Sequence, residues 1–184
     1  MPTAPSHAIA ALALGAGFYR PDVPRHLWAT GVVYAMLPDA DVIGFGFGIH
    51  YGDLPGHRGL THSLAFAVLL AAATVAVAYR HGAGGLGPIG TFAFLALAAA
   101  SHGFLDAFTD GGLGIAFFSP FDPTRYFFPW RPIAVAPIGI AGLLRPAMAR
   151  VVVSELTWVW GPSLLVLGLI AARRLTANEE RTHA

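Results

Sequence analysis

Residues 56–80 read GHRGLTHSLAFAVLLAAATVAVAYR and set two histidines and an arginine directly against a long apolar run. From Leu60 to Tyr79 that run holds about 20 residues, enough to cross a bilayer core of roughly 30 Å. Polar groups are expensive beside hydrocarbon, so His57, Arg58 and His62 need partners from elsewhere in the chain. The next stretch, RHGAGGLGP at 80–88, is a tight glycine-rich connection. Ile89 to Phe108 follows as a second span, interrupted near its end by Ser101, His102 and Asp106. Val151 to Ala172 is a third, closed by Arg173 and Arg174.

Two shorter apolar segments come first, His7 to Tyr19 and His26 to Leu37. Pro21 and Pro24 mark the turn between them, and Pro38 ends the second. Each is short for a full crossing. The opening residues lack the basic lead of a signal peptide, so they are expected to be retained. Residues 111–150 are apolar but broken by prolines, which predicts a re-entrant or interfacial excursion whose free backbone groups are covered by protein or water. Residues 175–184, LTANEERTHA, read as a polar, frayed tail. The expected fold is one all-α domain over 1–184, a polytopic integral membrane helical protein.

Composition agrees. Hydrophobic residues make up 55% and charged residues 11%, far below the roughly 25% of a soluble domain. The net charge of +1 gives no electrostatic case for nucleic acid. The absence of cysteine excludes disulfides, thiolate catalysis and cysteine-type zinc sites. Placing Arg80, Arg173 and Arg174 in the cytoplasm also puts Arg20 and Arg25 there. The histidine and aspartate motifs then face the external side. Arg125, Arg131, Arg145 and Arg150 fall on that side too, against the rule.

The polar residues reach one level. His62 lies 18 residues before Arg80, or roughly 27 Å along a helix. His102 and Asp106 lie 15 and 19 residues beyond Gly87, roughly 22 and 29 Å up the returning helix. His102 and Asp106 are i and i+4, on one helical face, a spacing suited to a ligand pair or to a buried hydrogen bond. LPDAD brings Asp39 and Asp41 to the same end, where two close carboxylates call for a cation or an arginine. His57 and His62 are five apart, about 140° around a helix, so His57 belongs in the entering loop and His62 in the first helical turn, with Gly59 or Thr61 as cap. Under this topology His7 shares that end. The mixture of imidazole and carboxylate suits zinc, manganese or iron(II), and seven candidates (His7, Asp39, Asp41, His57, His62, His102, Asp106) are enough for two ions. Arg58 is a natural partner for a carboxylate or a phosphate. His26, His50, His81 and His183 read as structural or solvated, Asp110 as a turn residue, and Glu155 as an acid at a helix start. The run AFFSPFDPTRYFFPW at 116–130 reads as an interfacial aromatic belt.

LPDAD, GHRGLTHSL and SHGFLDAFTDGGLGIAFFSPF, in this order after an early histidine, resemble the YdjM-like family of bacterial inner-membrane metal-dependent hydrolases. The likeness runs from His7 to about Pro132. Val42 stands where relatives often carry a histidine after PDxD, and Asp110 where they often carry proline, so Asp110 is not carried over as a site residue. The resemblance implies a multi-pass inner-membrane hydrolase. His7, Asp39, His57, His62, His102 and Asp106 are then expected as ligands to zinc or manganese, one ion or two. Asp41 is either a bridging ligand or the general base. Arg58, with Thr61 and Ser63 at a helix N-terminus, is expected to hold a substrate anion. A phosphoester on a lipid or lipid-linked molecule fits such a place. Two other classes stand beside this one: a non-catalytic metal or haem protein with His62 and His102 as axial ligands, and an ion or proton pathway.

Overall fold

The computed structural model describes residues 1–139 and 146–182, with side chains through residue 176. Arg145 and His183 lie outside the described residues. Apolar runs without strand-like alternation become helices: α1 (Ala4–Ala16), α2 (Arg25–Met36), α3 (Leu64–Ala78), α4 (Gly87–Ala107), α5 (Met148–Glu155) and α6 (Gly161–Thr182). A π-helical turn, Leu156–Trp160, joins α5 to α6. A long 3-10 segment, Leu37–Phe47, continues α2, and a short one, Leu60–His62, precedes α3. Among the described residues β structure is limited to two isolated bridges, Thr109 with Ile133 and Ile115 with Tyr126. The protein is all-α and membrane-embedded. Two helical stretches are long and apolar enough to cross a bilayer, Gly84–Ala107 and Met148–Thr176.

The four N-terminal helices form the body. Ala11, Leu27, Ala35, Ala67, Ala71, Phe94, Leu95 and Ala98 are its buried core. Small residues bring the helices close, as in membrane bundles. A Cβ at Gly31 of α2 would lie 2.4 Å from the Phe94 ring of α4, and one at Gly15 of α1 would lie 3.0 Å from Trp28. At 13 and 12 residues, α1 and α2 reach roughly 20 and 18 Å, short of a full span, as their sequence length implied. Both connections, 17–24 and 79–86, meet at one end. Gly84 adopts φ +56 there, and a Cβ on it would strike the Asp22 carbonyl. His26 stacks on Tyr79 at the same level. Arg174 donates to the Ala16 carbonyl and lies over the Tyr19 ring. The basic end is thus opposite the end that carries His7, Asp39, His62 and His102.

Three expectations are corrected. The run Leu60–Tyr79 is not one helix: regular α3 is 15 residues long and starts after a cap at Ser63, whose Oγ accepts the Phe66 amide. His62 therefore lies in the short turn before α3 and not in its first turn. The tail is helical through Thr182. Glu155 ends α5, eight residues into that helix, and is buried. The described part of 111–150 folds over the site end as the irregular excursion the prolines implied. Its backbone is tied to protein: Ala116 amide to Arg58 carbonyl, Leu64 amide to Phe117 carbonyl, Phe128 amide to Ala107 carbonyl, and Ala136 amide to Met1 carbonyl.

Candidate metal centre

His102 and Asp106 sit one turn apart on α4 and are fully buried. Gly103 between them leaves room for the His62 backbone, since a Cβ there would approach the His62 carbonyl oxygen to 2.9 Å. Asp39 arrives in the first turn of the 3-10 segment Leu37–Phe47, next to Pro38. His62 Nε2 and His102 Nε2 face each other at 3.1 Å. Asp39 Oδ1 is 3.2 Å from His102 Nε2 and 3.7 Å from His62 Nε2, and Asp106 Oδ2 is 3.8 Å from His62 Nε2. One atom from each of Asp39, His62, His102 and Asp106 falls within 4.8 Å of all the others. The His7 ring stacks on His102 at 3.8 Å, and its Nε2 lies 3.6 Å from Asp106 Oδ1.

The hydrogen bonds around this cluster fix which atoms look inward. His102 Nδ1–H donates to the Ala35 carbonyl at 2.7 Å, which leaves Nε2 as a lone-pair donor. His62 Nδ1 is 3.1 Å from Thr61 Oγ1, and that hydroxyl donates to Asp41 Oδ2 at 2.7 Å. The same carboxylate oxygen lies 3.3 Å from His62 Nδ1. A proton on Nδ1 again turns Nε2 inward. Two imidazole lone pairs and carboxylate oxygens then converge on one small volume. Both nitrogens of His7, Oδ1 of Asp39 and Oδ1 of Asp106 are buried without a hydrogen-bond partner, while Asp106 Oδ2 has the Arg58 guanidinium as its ion-pair partner at 3.0 Å. Unmatched acceptors of this kind are costly in a dry interior unless a cation joins them. A proton shared by His62 and His102 would satisfy that pair and leave the other groups orphaned. The residues fit a divalent ion.

Asp41 and His57 lie on the far side of His62. With His62 they form a second group of close ligand atoms. This group is satisfied within itself: His57 Nδ1–H donates to Asp41 Oδ1 at 2.7 Å, and Thr61 takes Oδ2. Burial pushes the Asp41 carboxyl up, but hydrogen bonds from His57, His62 and Thr61 outweigh it and hold the group at about 2. Asp41 is thus a firm anion that orients two histidines.

Arg58 turns into the protein. It is fully buried, with Nε 3.0 Å from Asp106 Oδ2. Nη1 donates to the Gly111 carbonyl at 2.8 Å and Nη2 to Thr109 Oγ1 at 3.0 Å. It pairs with a carboxylate of the protein. Its backbone has φ +65, uncommon away from glycine. Gly56 and Gly59 make that loop possible, since a Cβ on either would strike a backbone carbonyl. Thr61 and Ser63, expected to help bind an anion, are occupied by Asp41 and by the Phe66 amide.

Two features escape sequence reading. The Ala35 carbonyl that orients His102 has no side-chain signal. Glu155, Thr3, Ser6 and Trp160 form a hydrogen-bonded group beside His7 although they share no motif. His26, His50 and His81 lie outside the cluster, and Asp110 accepts the Val135 amide and Arg150. The 3.1 Å approach of His62 to His102, with both aspartates beside it, is the size of an ion and leaves no gap for a porphyrin. Among the described residues, no buried histidine or carboxylate lies toward the basic end of the four helices.

A family model described as YdjM inner membrane protein matches residues 1–178. Inner membrane protein YbcI of Escherichia coli (strain K12) is 41% identical over 174 residues, covering 95% of this chain and 99% of that one. No solved structure matches.

Proposed function

We infer the function of this chain from its family and its buried cluster: it belongs to the YdjM inner membrane protein family and is a protein of the inner membrane. The reading is a metal-dependent membrane hydrolase. The observation that carries it is the set of orphaned inward-facing atoms on His7, Asp39 and Asp106, grouped with the facing nitrogens of His62 and His102. Asp39, His62, His102 and Asp106 would hold the ion, and His7 would join from α1. Such an ion lowers the pKa of a bound water and polarises the scissile group.

The other residues have distinct tasks. Asp41, with Thr61, fixes the His62 ring so that Nε2 points inward. The Ala35 carbonyl does the same for His102. Arg58 offsets the charge of Asp106, pairing with the same Oδ2 that faces His62. One ion is favoured over two, because the Asp41–His57 group already has its hydrogen bonds. The Asp39 side chain is 15% exposed while those of His62, His102 and Asp106 are closed to solvent, so a substrate reaches the cluster past Asp39. The segment that carries Asp39 also exposes Ile43, Phe45 and Phe47. An apolar rim beside an acid-lined site suits a phosphoester on a lipid or lipid-linked molecule, at the external face. The test is a screen of metal-repleted protein against phosphodiester and lipid phosphate substrates, with Asp39→Asn as control. Turnover by wild type and its loss in Asp39→Asn are expected. Metal-loaded wild type that turns over none of them would overturn the hydrolase reading.

A further inference from the structure

Glu155 is a carboxylate inside a long apolar helical stretch, 4% exposed. Such a group is expensive unless it is partnered. All the side-chain hydrogen bonds described for it come from the start of α1. The Thr3 amide donates to Oε1 at 2.6 Å, Thr3 Oγ1 to Oε2 at 2.5 Å, and Ser6 Oγ to Oε2 at 2.7 Å. The π turn follows at once. In an α-helix residues five apart point about 140° away from each other. An i→i+5 turn brings them over one another, so Glu155 and Trp160 address the same partner. The Trp160 indole N–H donates to Ser6 Oγ at 2.9 Å. The widened turn thus closes a clasp on two hydroxyls of α1.

His7 is the residue after Ser6. The Thr3 carbonyl accepts the amides of Ser6 at 2.9 Å and His7 at 3.3 Å, so the clasped residues form the turn from which His7 extends. The His7 ring makes no hydrogen bond of its own. Its position depends on its backbone and on the His102 ring beneath it. We propose that Glu155, with Trp160, is a positioning residue for the metal centre, holding the first turn of α1 so that His7 meets Asp106 and His102. This role rests on the metal reading above, and it gives the C-terminal helix a part in a site to which it supplies no ligand.

The test is zinc affinity of the full chain in detergent, by competition with a chromophoric chelator, beside thermal stability. Glu155→Ala and His7→Ala should each weaken zinc binding about tenfold, the lower end for loss of a group that orients a ligand. The double variant should bind no more weakly than His7→Ala alone. Trp160→Phe, a milder change, should weaken binding in the same direction and only while His7 is present. If Glu155→Ala does not fold, Trp160→Phe carries the comparison by itself. Unchanged affinity with lowered stability would make the clasp a simple helix tie and overturn the proposal. An equal loss on top of His7→Ala would overturn it too. Wild type that binds no zinc would remove the metal reading, and this role with it.

Discussion

At the scale of residues, the centre is defined by which polar atoms lack partners. His102 and Asp106 are legible in the sequence from their i, i+4 spacing, and Asp39 and His62 from the level their segments reach. The division of labour among them is not legible, because it depends on hydrogen bonds to a backbone carbonyl and to Thr61. Arg58 shows the limit most clearly: an arginine between two histidines reads as an anion binder, yet folding turns it onto Asp106. Its loss should therefore act on stability. Arg58→Met leaves Asp106 as an unpaired buried charge, which costs about 3–5 kcal/mol. Zinc at a hundred times its dissociation constant should return about 2.7 kcal/mol by mass action, because it binds the folded state. Thermal melts with and without zinc check this. A change at Ser63 should behave differently. Ser63→Ala removes the α3 cap and should cost about 1 kcal/mol with zinc affinity unchanged, measured by the same melts and by chelator competition.

At the scale of elements, the α3–α4 hairpin is legible because a glycine-rich turn separates two apolar runs of helical length. Its details are not. The three residues of Leu60–His62 leave the α-helix because Ser63 caps α3 and the His62 ring must turn toward α4. No periodicity announces that change. The clasp at Glu155 is equally silent, since it joins residues about 150 apart through side chains of unremarkable type. The turn at the other end can be probed through glycine. Gly84→Ala places a Cβ against the Asp22 carbonyl at a positive φ, so it should lower the melting temperature while metal stoichiometry in the folded fraction stays at the wild-type value. Melting curves and metal analysis of the same preparation test it.

At the scale of the whole molecule, a helical body carries the histidine–aspartate cluster at one end, with Arg58 and Arg125 beside it, and Arg20, Arg25, Arg80 and Arg174 at the other. Because the chain has no cysteine, single cysteines report topology cleanly. Cysteine at Phe47, on the site end, and at Arg80, on the basic end, should react with an impermeant thiol reagent from opposite sides of the membrane. Reaction of both from one side would contradict the arrangement. The most direct measurement concerns the metal itself: ion stoichiometry of the full chain purified without chelators and repleted with zinc or manganese, beside Asp39→Asn and His102→Ala. The account predicts one ion per wild-type chain and its loss in both variants. A folded wild-type protein that remains metal-free after repletion would contradict it.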